Sequence, residues 1–196
     1  REEAEKIIKI DKKNLWALKF LLKIDEEEKK WDRSIKWTKQ IQKLTGENIK
    51  DKIAKFEVLK GKDKYLNGDL KEAEGIYLKI RKKYPELELS YLYLGDLYEK
   101  TRDLVKAVEN WQNFTSKDPL NASKVFSKIE SSLFDLGRYS EVENFYRRFI
   151  KQNPSNLEAV IRLANVLDEK GENSSALSLL DSFGSSKKND IKVNLI

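Results

Sequence analysis

The chain reads as an all-α protein, a solenoid of repeated antiparallel helix pairs. Pro85, Pro119 and Pro154 fall 34 and 35 residues apart, and each closes a segment whose apolar residues recur at i, i+3, i+4 and i+7. Only 8 glycines and 3 prolines occur in 196 residues, most of them where turns are expected. No alternating apolar pattern is long enough for a strand. A period of this length marks one supersecondary unit that buries its face against its neighbours and needs no single central core.

Each element can be justified in order over one array spanning residues 1–196. Residues 1–14 carry Ala4, Ile7 and Ile8 at helical spacing, as the tail of a preceding pair's second helix. Residues 15–48 form the first full repeat, with Leu18, Leu21, Leu22, Trp31 and Ser34 in register, and five extra residues around Thr45 to Asn48 separate it from the next. Residues 54–87 keep Gly61, Gly68, Leu70, Ala73 and Tyr77 but place Lys60 and Lys64 where apolar residues are expected. Their stems are expected to cover apolar neighbours while the ammonium groups reach water. Alternatively the helix is rotated, with Ile53, Phe56 and Leu59 inward.

Residues 88–122 are the most regular copy. Tyr91, Leu94, Gly95 and Tyr98 share one face of the first helix, with Gly95 at the closest helix approach. Ala107 and Trp111 face them from the second, and Pro119 stops it. Residues 123–156 contribute Phe126, Ile129, Leu133, Tyr139, Val142 and Phe145. Gly137 stands at the turn, where a left-handed backbone costs glycine least. Residues 157–190 supply Val160, Leu163, Ala164, Leu167, Gly171, Ala176 and Leu180, and residues 191–196 begin a further helix. Both ends cut across helical patterns, so a fragment of a longer protein is expected.

Composition narrows the chemistry. Cysteine and histidine are both absent, which removes disulfides, zinc fingers, thiol nucleophiles and imidazole bases. No convergent carboxylate or lysine pair has a reason for a shifted pKa, so no catalytic residue, cofactor or metal site is expected and an enzyme is the weakest reading. The run Asp25 to Glu28 lacks the glycine and ligand spacing of a calcium loop and reads as a solvated helix end. Two glycosylation patterns, Asn113-Phe114-Thr115 and Asn173-Ser174-Ser175, carry little weight without a secretion signal. Lys and Arg total 39 against 33 acids, a net charge of +6, but the signs are interspersed and only eight of the cations are arginine. Nucleic acid using the basic residues with Trp16 and Tyr65 for stacking is therefore the secondary reading, and a protein partner leads. No apolar run is long enough to span a membrane.

The 34-residue register, with small residues at the crossings, resembles the tetratricopeptide repeat from about Leu15 to Phe183. That resemblance implies a right-handed superhelix whose groove is lined by the second, fifth, ninth and twelfth residues of each repeat. These are Trp16, Lys19, Lys23 and Glu26; Lys55, Val58, Lys62 and Tyr65; and Leu89, Leu92, Asp96 and Glu99. Lys124, Ser127, Ser131 and Phe134 follow, then Glu158, Ile161, Asn165 and Asp168. The expected partner is a protein or peptide segment with acidic and apolar residues, and Trp16 is equally readable as packing against the preceding helix. A chaperone-tail carboxylate clamp is not assembled, because Lys124 and Lys128 are preceded by Leu92, Tyr93 and Asp96.

The order of features also resembles the helical-repeat region of the bacterial lipopolysaccharide assembly protein B family. It is carried by LLKIDEEEKKWDRSIKWTKQI, the insertion, LNGDLKEAEGIYLKI, LYLGDLYEKTRDLVKAVENWQNF and SLFDLGRYSEVENFYRRFI. That likeness implies a cytoplasmic adaptor, tethered to the inner membrane in the full-length protein and coupling a membrane protease to the first committed enzyme of lipid A synthesis. Neither the family's membrane helix nor its paired metal-binding cysteines lie in this sequence.

Overall fold

The computed structural model describes the backbone of residues 1–193 and the side chains of residues 1–185. Eleven α-helices follow one another among them: α1 Glu2–Ile10, α2 Leu15–Glu27, α3 Trp31–Thr45, α4 Lys50–Leu66, α5 Leu70–Lys83, α6 Glu88–Lys100, α7 Leu104–Lys117, α8 Ser123–Asp135, α9 Tyr139–Gln152, α10 Leu157–Glu169 and α11 Asn173–Val193. A 3-10 turn, Pro119–Asn121, precedes α8, and no strand occurs among the described residues. Residues 191–193, read as the start of a further helix, prolong α11 instead; residues 194–196 lie outside the described ones. The helices group into two compact units, Arg1–Leu97 and the part from Tyr98 onward, with the boundary inside α6.

The turn between the two helices of each pair is built the same way five times. Lys29, Gly68, Arg102, Gly137 and Gly171 take positive φ of 55, 86, 62, 69 and 79°. The next amide then reaches back to the carbonyl five residues earlier. Lys30 N–H donates to Asp25 at 2.8 Å, Asp69 to Lys64 at 2.9 Å, Asp103 to Tyr98 at 2.9 Å, Arg138 to Leu133 at 2.8 Å and Glu172 to Leu167 at 2.8 Å. This Schellman closure satisfies carbonyls that a helix end leaves open, and it reverses the chain over a few residues. Glycine supplies the left-handed residue three times. Lys29 and Arg102 adopt it against the steric preference of a side chain.

Where paired helices cross, one partner must be small or hydrogen-bonded. A Cβ on Gly61 of α4 would stand 2.5 Å from Cε1 of Tyr77 on α5. In the pair α8 and α9 the corresponding residues are Glu130 and Tyr146, and there the buried hydroxyl donates to the Glu130 carboxylate at 2.5 Å.

The core of the first three helices joins Ala4 with Ala17, Leu18, Leu21, Leu22, Trp37 and Ile41. Asp25 sits fully buried beside it, contrary to the reading of Asp25 to Glu28 as a solvated end. Its carboxylate accepts from Arg1 at 2.5 Å and from Trp37 Nε1 at 2.7 Å, and pairs with Arg33 Nε at 2.9 Å. A buried carboxylate is tolerable only with such partners. Glu28, at the exposed end, is held down to about 2 by Lys30 and Arg1.

The departures seen in the sequence meet in α4. Gly46 caps α3 with φ 71°, and the insertion is absorbed as an additional turn: α4 has 17 residues where α2, α6, α8 and α10 have 13. Its buried face comprises Ile53, Ala54, Phe56, Val58 and Gly61, with Leu59 partly buried. Lys60 and Lys64 point to carboxylates, Lys60 to Asp32 at 2.7 Å and Lys64 to Glu72 at 2.9 Å. Both lysine side chains stay about a third exposed with their ammonium groups at the surface, as the stem-covering reading expects, while Ile53 and Phe56 are buried as the rotated alternative expects and Gly61 keeps its place at the crossing with Tyr77. The expectation that Val58 lines a groove is corrected, since it is only 1% exposed. An ammonium cannot occupy a core position without losing its hydration, so the valine does.

Replacing Lys29 or Arg102 by glycine should raise the unfolding midpoint, by about 0.5–1 kcal/mol each, because the left-handed strain is relieved. Gly61→Ala should lower it by about 1–3 kcal/mol through the clash with Tyr77. Urea denaturation followed by circular dichroism checks both signs.

Candidate protein-binding surfaces

In the second unit α8, α9 and α10 leave a groove of about 680 Å³. Its apolar lining is Phe134, Val142, Leu157, Ile161 and Val166, three of which remain solvent-exposed as large side chains: Phe134 at 42%, Leu157 at 51% and Ile161 at 44%. Tyr139 adds a ring 5.5 Å from that of Phe134. The exposure follows from register. Phe126, Ile129 and Leu133 on α8, and Val160, Leu163 and Leu167 on α10, face the core, leaving Phe134 and Ile161 on the other side of their helices.

A chain of hydrogen bonds fixes the floor. Tyr146 donates to one oxygen of Glu130, Arg162 binds the other at 2.8 Å, and Arg162 also holds Glu158 at 3.0 Å. Burial, then the Glu130 contact, pushes the Tyr146 hydroxyl well above the ordinary phenol range, so it stays a donor. Burial disfavours the Arg162 charge, but the Glu158 and Glu130 contacts outweigh it and raise its pKa. Glu130, Glu158 and Glu169 against Arg162 leave the lining acidic.

In the first unit α2 presents Trp16, 64% exposed, stacked on Phe20 at 5.3 Å and 6°. The alternative that Trp16 packs against the preceding helix does not hold. Lys19 and Lys23 border a depression of about 330 Å³ between α2, α3 and the start of α4. Lys55 borders another, of about 530 Å³, with Trp31, Phe56 and Leu59.

The remaining expected residues are dispersed. Lys62 is half-buried with its ammonium 5.7 Å from the Tyr93 ring, while Tyr65, Leu89 and Leu92 are half-buried and Lys124 is exposed. Phe134 and Ile161 come together at the second unit's groove, with Glu158 and Asn165, as Lys19 and Lys23 do at the first unit's depression. Leu157, Val166, Glu130 and Arg162 were not anticipated. Leu157, an apolar residue directly after the capping Asn156, carried a signal; Glu130 did not, because it occupies a position assigned to the helix crossing. Among the described residues no group of three or more Asp or Glu is placed to hold a metal ion, and no helix is long and apolar enough to cross a membrane.

Comparison with known proteins agrees with this architecture. The tetratricopeptide repeat family matches residues 133–194. Among solved structures, one of Naa15/Naa10 bound to HypK-THB is 16% identical with a TM-score of 0.52; the alignment covers 88% of this chain and 25% of that one. The crystal structure of YrrB, a tetratricopeptide-repeat protein with an unusual peptide-binding site, is 16% identical with a TM-score of 0.49, covering 92% and 90%. A MamA structure is 13% identical with a TM-score of 0.49, covering 95% and 99%. No curated protein sequence matches. The fold is that of tetratricopeptide helix pairs.

Glu130→Ala should destabilise the second unit by about 1–3 kcal/mol, because it strands the buried Tyr146 hydroxyl and removes a partner of Arg162. Adding Tyr146→Phe should recover part of that loss in thermal unfolding.

Proposed function

We propose that the chain is a protein-interaction scaffold, and that the groove lined by α8, α9 and α10 receives an apolar segment of a partner protein carrying lysine or arginine. The observation that carries this reading is the exposure of Phe134, Leu157 and Ile161 around one groove with an acidic rim. Exposed apolar anchors supply affinity when covered, and the surrounding carboxylates orient the segment. For this groove the reading replaces the expected acidic partner, because an acidic segment would meet Glu130, Glu158 and Glu169. Nucleic acid is disfavoured here for the same reason. In the first unit Lys52, Lys60 and Lys64 are already matched with Glu26, Asp32 and Glu72.

The resemblance to lipopolysaccharide assembly protein B supports a finer reading, an adaptor in the control of envelope lipid synthesis with its full-length protein tethered at the inner membrane. Co-purification of the first committed enzyme of lipid A synthesis with the chain checks it, and its absence from the eluate counts against it.

Ile161→Asp and Phe134→Ala should each weaken capture of the groove's partner segment by about tenfold, the loss of one buried anchor, without loss of helicity. Fluorescence anisotropy with apolar, lysine-bearing peptides measures it. Unchanged affinity in both folded variants would place binding elsewhere.

A further inference from the structure

The residues that break the repeat pattern build a second site, in the first unit. The loop and additional turn at the start of α4 carry Ile49 and Lys52 to the wall of the depression beside Lys19 and Lys23, whose apolar floor is Leu22 and Ile41. Thr38, 1% exposed, contributes to the same wall, and among the described residues its hydroxyl has no hydrogen-bond partner.

The charges of this site are unbalanced. Lys52 is engaged by Glu26 at 2.8 Å, whereas among the described residues neither Lys19 nor Lys23 has a carboxylate within ion-pair distance. Glu47 is the remaining carboxylate of the lining. Along α2, Trp16, Lys19, Phe20 and Lys23 fall at i, i+3, i+4 and i+7, so the exposed aromatic stack and the two free cations form one stripe that ends at the depression. A stacked tryptophan and phenylalanine left in water are characteristic of a surface that becomes covered.

We infer that this stripe and depression form a docking site for an extended, acidic and apolar peptide segment of a partner protein. An apolar or aromatic residue of the segment covers Trp16 and Phe20. Its carboxylates meet Lys19 and Lys23, and one aliphatic side chain seats on Leu22, Ile41 and Ile49. The inference rests on the scaffold reading of the chain but uses different residues from the groove of the second unit. Single-stranded nucleic acid has the charge and the stacking faces for the stripe, but it lacks the aliphatic group that the depression accommodates.

Display selection from a random dodecapeptide library on the full chain tests this. The expected result is an enriched family with paired Asp or Glu flanking aromatic or aliphatic residues. A synthetic member of that family should bind about tenfold more weakly to the Lys19→Glu/Lys23→Glu variant, and more weakly again at raised salt. Trp16→Ala should weaken it through the stack, and Ile161→Asp should leave it unchanged. Both test sites in the first unit are exposed, and far-UV circular dichroism confirms folding of each variant. The inference is overturned if no acidic family emerges, if its affinity survives the double charge reversal, or if an oligo-dT strand displaces the peptide and binds more tightly. Loss of the acidic family in Ile161→Asp alone would move it to the other groove. A basic family lost only in Ile161→Asp, with no acidic family beside it, would overturn this inference while supporting the scaffold function.

Discussion

The left-handed closure at the end of each first helix is the constraint from which the rest follows. Helix ends leave carbonyls without partners, and in all five pairs the chain answers with a single residue at positive φ and an amide reaching back five residues. The reversal aligns the two helices of a pair so that large side chains of one meet small or hydrogen-bonding residues of the other, as with Gly61 and Tyr77 or Glu130 and Tyr146. Once that face is committed to the pair, the opposite face of the first helix is left outward. Phe134, Ile161, Trp16 and Lys19 owe their exposure to this arrangement.

Charge decides where the arrangement bends. At α4 the regular register places Lys60 and Lys64 on the face that other first helices bury, where stripping an ammonium of water is costly. Both lysines instead reach carboxylates at the surface, and Ile53, Phe56 and Val58 supply the buried apolar contacts while Gly61 stays at the crossing. Asp25 shows the converse solution. Its carboxylate remains buried because Arg1, Arg33 and Trp37 supply donors, so the polar group ties α1, α2 and α3 together.

Much of this was legible from single residues. The glycines at 68, 137 and 171 and the prolines at 85, 119 and 154 announced the turns and the period, and the apolar spacing marked the helical segments except at α4, where Lys60 and Lys64 interrupt it. Lys29 and Arg102 hid two further left-handed turns, because nothing local marks a side chain that accepts that backbone. The burial of Asp25 was also hidden: its partners lie 24 residues before it and 8 and 12 after it. The insertion was visible as extra length. Its conversion into a helical turn depended on Ile53 finding a buried place and Lys52 finding Glu26. At the second unit's groove, Phe134 and Ile161 were readable from register, whereas the acidic character of the rim needed Glu130, Arg162 and Glu169 to be placed around them.

The claim that exposed first-helix faces are the working surface is tested most directly by methyl NMR of the full chain with a captured partner segment. Shift changes concentrated at Ile161, Leu157 and Val166, with the core methyls of Leu133 and Leu163 little affected, are the predicted result. Changes confined to α9 and α11, or no change at Ile161 under saturation, would contradict it.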